Sequence, residues 1–122
     1  MVTAKTSSTE NDTFVPELVG IQKPAAFLLD YGGFGYGKFT LDLESLDLIC
    51  NKLHMLKEQN ARKAVYNTMF DMVKSEKFAG SRLLQVVKQN IAKETTEEVL
   101  SDVIRSIVPT VIGKYIPLST YE

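Results

Sequence analysis

Histidine and cysteine are nearly missing: the 122-residue chain has one of each, His54 and Cys50, and no tryptophan. A lone cysteine cannot close an internal disulfide, and one imidazole with one thiol falls short of the ligand sets that hold zinc. The same shortage leaves a Ser/His/Asp or Cys/His triad only His54 as its base, and no G-x-S-x-G elbow accompanies it. An excess of one charge is also lacking. With 14 Lys+Arg against 15 Asp+Glu, the net charge of -1 argues against a strongly basic nucleic-acid protein. No apolar run approaches the roughly 18 residues of a membrane span. The opening MVTAKTSSTENDTF has no apolar segment fit for a secretory signal, so the expected compartment is cytoplasmic. What is present, 44% apolar and 24% charged residues, excludes general disorder and fits one domain or part of one.

Residues 1–13 offer little to bury and read as a disordered lead-in. The stretch FVPELVGIQKP, from Phe14 to Pro24, spaces two prolines and a glycine among apolar residues, the pattern of an extended connector lying on something apolar. Ala25 to Leu29 is a short buried-type run, Asp30 to Gly35 has turn chemistry, and Tyr36 to Leu41 alternates like a half-buried strand. Residues 14–42 are therefore expected to hold the connector and a β-strand pair. Such a pair is marginal alone and needs the following helices or a larger sheet.

From Asp42 the apolar period becomes helical. Asp42 can cap a helix reaching about Leu56, with Leu46, Ile49, Leu53 and Leu56 on one face. A second helix is expected from about Asn60 to Glu76, striped by Ala61, Val65, Met69 and Met72, with Gly80 beyond its end. A third begins at Ser81 and carries Leu83, Leu84, Val87 and Ile91. A fourth opens with the capping box Thr95-x-x-Glu98, carries Val99, Val103, Ile107 and Val111, and stops at Gly113. Pro109 should kink it or end its regular part early. The expected fold is mainly α: antiparallel helical hairpins over 43–115, a HEAT/armadillo-like stack, preceded by a β hairpin or sheet edge and followed by a tail over 116–122.

Four features invite a functional reading. The cluster Gly32-Gly33-Phe34-Gly35-Tyr36-Gly37 lacks G-x-G-x-x-G spacing and a GK[ST] ending, and leads into a strand pattern, so it reads as a turn. Cys50 and His54, at i and i+4, can share a helix face, but two ligands are weak for a metal, and a packed or rim position is expected. Glu94, Glu97 and Glu98 stand where a helix dipole favours negative charge, which makes them capping residues. From Lys52 to Lys93 nine basic residues face three acidic ones, a local +6 that leaves -7 elsewhere. Such a patch can meet an acidic partner, but without an aromatic platform it reads as solvated helix faces. No catalytic, cofactor-binding or metal-binding residue is assigned.

Several segments, in order, resemble the aminopeptidase N family of zinc metallopeptidases. Leu28-Leu29-Asp30 followed by Tyr36-Gly37-Lys38-Phe39-Thr40-Leu41-Asp42 resembles the end of that family's small β-sandwich domain, with Asp30 where an Asn is usual and Gly37 where a side chain is usual. Pro16-Glu17-Leu18-Val19-Gly20 is similar to the segment before those strands. Ala61-Arg62, Phe70-Asp71-Met72-Val73-Lys74, Leu83-Leu84-Gln85-Val86-Val87 and Glu94-Thr95 resemble the first helices of the large C-terminal helical domain. The resemblance spans about residues 14 to 115. It implies a piece of the domain that covers the peptide chamber, with zinc belonging to the full-length family. The family's H-E-x-x-H, its downstream Glu ligand and its G-x-M-E-N segment do not occur here, so no catalytic residue carries over and this chain alone is not expected to be an enzyme. The expected partner is the remainder of an aminopeptidase-like chain or another protein, with peptide as a further candidate and neither nucleic acid nor membrane. The alternative is a stand-alone interaction subunit that uses the hairpins as a scaffold in a larger assembly.

Overall fold

The computed structural model describes residue 12, residues 14–29, residues 38–117 and residue 119. The lead-in over 1–13 and the turn with its glycine cluster therefore lie almost wholly outside the described residues, as does most of the tail over 116–122.

Helix α1, Leu43–Lys52, starts where the sequence places it: the Asp42 carboxylate accepts the Ser45 backbone N–H at 2.9 Å and fills one of the orphan donors of the first turn. Glu44 in the first turn and Lys52 in the last suit the helix dipole. A 3-10 turn, Leu53–Met55, closes it. Helix α2, Gln59–Lys74, buries Ala61, Val65, Met69 and Met72 as expected, and Tyr66 beside them. It ends in a Schellman arrangement, with Glu76 N–H bonded to the Val73 carbonyl and Lys77 N–H to the Met72 carbonyl. Glu76 supplies the left-handed residue, at φ 59, a place that usually favours glycine.

Gly80 is not a terminator of α2 but the first residue of α3, Gly80–Asn90, which runs into a 3-10 turn, Ile91–Lys93. A Cβ on Gly80 would lie 3.1 Å from the Tyr115 carbonyl oxygen and 3.1 Å from Val111 Cγ1, so its lack of a side chain lets two helix ends approach. Helices α4, Glu97–Asp102, and α5, Val108–Tyr115, form one rod through a π-helical turn, Val103–Ile107. That wide turn ends two residues before the proline that was expected to disturb the helix: Pro109 has no N–H to give and its ring crowds the carbonyl of Arg105, four residues back and inside the turn. The rod passes through Gly113 to Tyr115. Its stop is set by Pro117, which pushes Ile116 into extended geometry, φ -111 and ψ 128.

The strand pair is not supported. Among the described residues there is no β-strand, and Ala25–Leu29 and Lys38–Leu41 are irregular. The alternation over Lys38 to Leu41 does report burial, with Leu41 in the core, Phe39 half-buried and Lys38 and Thr40 exposed. Helix α1 supplies the anchor instead of a ladder: Phe27 N–H donates to the buried Ser45 hydroxyl at 2.7 Å, and that hydroxyl donates to Asp42 at 2.6 Å. Ala26 and Leu28 lean on the core. Upstream, a 3-10 turn at Pro16–Leu18 leaves Phe14 79% and Val19 68% exposed, while Val15 is half-buried.

One core joins the elements. Helix α2 lies at its centre, against α3, α4 and α5, while α1 packs on α3. The four stripe residues of the rod, Val99, Val103, Ile107 and Val111, are all buried.

Candidate functional site

The most connected polar group is the Arg62 guanidinium in the first turns of α2. Its side chain is 9% exposed and that of Glu94 is 3% exposed. Arg62 Nε donates to Glu94 Oε2 at 2.9 Å and one Nη to Glu94 Oε1 at 3.0 Å, a two-point pairing of fork and carboxylate. The remaining donors reach the Leu56 and Lys57 carbonyls and the Thr96 hydroxyl, so all five N–H groups are engaged. Glu94 Oε1 also accepts the Thr95 and Thr96 backbone N–H groups at 3.1 and 3.0 Å. Burial by itself would raise the Glu94 pKa, but the bonds from Arg62 and from the Thr96 and Thr95 amides outweigh it and hold the carboxyl below its ordinary value. The node ties the α1–α2 connection to the α3–α4 connection.

This arrangement replaces the expected capping box. Thr96, not Thr95, is the N-cap of α4, and no side chain of its own caps the helix. Glu94 acts on the preceding amides from outside the helix, and Glu98 turns sideways to Lys63 at 2.6 Å. The sequence singled out Glu94 as a helix-end charge but gave no sign that it was buried against Arg62. The available signal was Arg62 itself, placed next to Ala61 and three residues before Val65 on the apolar stripe.

A second node gathers Cys50 and His54. Asn90, 3% exposed, donates from its amide nitrogen to the Cys50 and Val86 carbonyls, both at 2.9 Å. Its oxygen therefore faces His54 Nδ1, 3.2 Å away, and this bonding pattern places the imidazole proton on Nδ1. The Cys50 sulfur turns the other way, to Met69 Sδ at 3.8 Å, and burial pushes its thiol pKa up, away from reactive thiolate. The two side chains are thus bound to different neighbours and do not converge as ligands. Among the described residues no group of three or more His, Cys, Asp or Glu could hold a metal ion.

Four of the nine basic residues of the stretch are met by carboxylates, three of them by carboxylates from outside it. Arg62 meets Glu94, Lys63 meets Glu98 and Asp102, Lys74 meets Asp71, and Arg82 meets Asp47. Lys63 is held protonated to higher pH by its two partners. Lys74 also sits 4.7 Å from the Phe70 ring centre, and Arg82 lies over Phe78. Part of the imbalance along the sequence is thus offset by pairing across α1, α2 and α4. An open recess of about 450 Å³ lies between α2 and the rod, lined by Asn67, Phe70, Asp71, Lys74, Asp102, Ser106 and Ile107. No histidine or cysteine lines it, and its carboxylates are already paired with Lys74 and Lys63. The nodes and the recess contain no nucleophile–base pair. Their chemistry is that of holding connections in place.

No protein-family model matches the sequence, and no solved structure matches it. A curated relative, "Aminopeptidase N" of Streptomyces lividans, is 30% identical over 95 residues, which cover 78% of this chain and 11% of that protein. The chain therefore spans about a tenth of the relative it matches, and the likeness amounts to a distant aminopeptidase N-like relationship. Among the described residues no helix is long and apolar enough to cross a membrane.

Proposed function

We propose that this chain is a noncatalytic piece of an aminopeptidase N-like zinc metallopeptidase, carrying part of the helical domain that covers the peptide chamber. The single observation that carries the reading is the 95-residue match to a much longer aminopeptidase N. Three features support it. Helices occupy the part of the chain for which the resemblance implies them. The sequence has one histidine where H-E-x-x-H needs two. In the connector, Phe14, Val19 and Ile21 are each more than half exposed, as apolar side chains of a segment that lies on further protein would be. Its partner in this reading is the rest of an aminopeptidase-like polypeptide, its compartment is the cytosol, and any zinc resides in that other part.

The test reads the genomic sequence upstream of residue 1 for an in-frame H-E-x-x-H segment and assays the purified chain on aminoacyl arylamides. The expected outcome is an upstream metal motif and no turnover by this chain alone. Hydrolysis accompanied by stoichiometric zinc in the purified chain would overturn the noncatalytic assignment. A complete upstream reading frame without any metallopeptidase sequence would overturn the assignment to such an enzyme.

A further inference from the structure

We draw no further inference here: the strongest candidate, the partly exposed apolar stripe of Leu100, Ile104 and Val108 along the outer side of the rod formed by α4, the π-turn and α5, carries nothing because nothing in the structure shows what covers it.

Discussion

Replacing Glu94 with Gln keeps the shape of the node and removes its charge. The Arg62 guanidinium, 9% exposed at its side chain, would then face a neutral amide that can accept only part of what the carboxylate accepts. Breaking a buried ion pair by removing one partner costs about 3–5 kcal/mol, because the remaining charge is left uncompensated. That is a large share of the roughly 5–15 kcal/mol that holds a small domain together. By contrast, the exposed pair Arg82–Asp47 is worth about 1 kcal/mol or less. In urea, with a slope of about 1.5 kcal/mol/M, the Glu94→Gln midpoint should fall by roughly 2–3 M. Arg62→Lys should cost nearly as much, since three ammonium donors cannot serve the acceptors that five guanidinium donors reach. The pH dependence provides the check. The folded Glu94 carboxyl titrates below its ordinary value of 4.5, so its contribution is complete above the unfolded value and vanishes as the pH falls through the folded one. The stability gap between the parent chain and Glu94→Gln should therefore shrink in acid. A gap under about 0.5 kcal/mol at neutral pH, or one that does not change on acidification, would refute the electrostatic account of the node.

Ser45→Ala should cost about 1–3 kcal/mol in urea unfolding, because the Phe27 N–H loses its acceptor and the connector its tether to α1; an unchanged midpoint would show that another group takes the donor. Glu76→Gly should raise stability by about 0.5–1 kcal/mol, because glycine adopts the left-handed φ of 59 without the Cβ penalty; a loss would mean that the Glu76 side chain makes a compensating contact. Burial pushes the Tyr66 phenol up to about 12, so in an ultraviolet titration one tyrosine should ionise well after the others and join them when the chain is unfolded. A single ionisation step near the ordinary value of 10.0 in the folded chain would contradict that burial.

The helices were legible because their signals are local. Asp42 caps from three residues away, and Ala61, Val65, Met69 and Met72 fall on one side of α2 by spacing alone. The ends were less legible, since Gly80 and Gly113 satisfy the usual signature of a helix stop while the real terminators are Glu76 in the Schellman position and Pro117 beyond α5. The strand expectation mistook burial alternation for a ladder: Phe39 and Leu41 alternate inward, but the backbone partner of Phe27 is a serine hydroxyl. The Arg62–Glu94 and His54–Asn90 pairings join positions 32 and 36 residues apart, and spacing within one helix carries no trace of them. Ala61-Arg62 and Glu94-Thr95, two of the short segments that carried the family resemblance, are nevertheless the two that meet in the node.

The wide turn at Val103–Ile107 has a consequence for the phase of the whole rod. Val99, Val103, Ile107 and Val111 follow one another at intervals of four, and on a regular helix of 3.6 residues per turn such a row would wander by roughly 120° from first to last. Yet all four point inward. Unwinding by one residue in the middle takes up the drift, so a shortened rod lacking a single residue of 103–107 and wound as a regular α-helix would keep its length almost unchanged and leave Val111 within about 20° of the close seat it shares with Gly80.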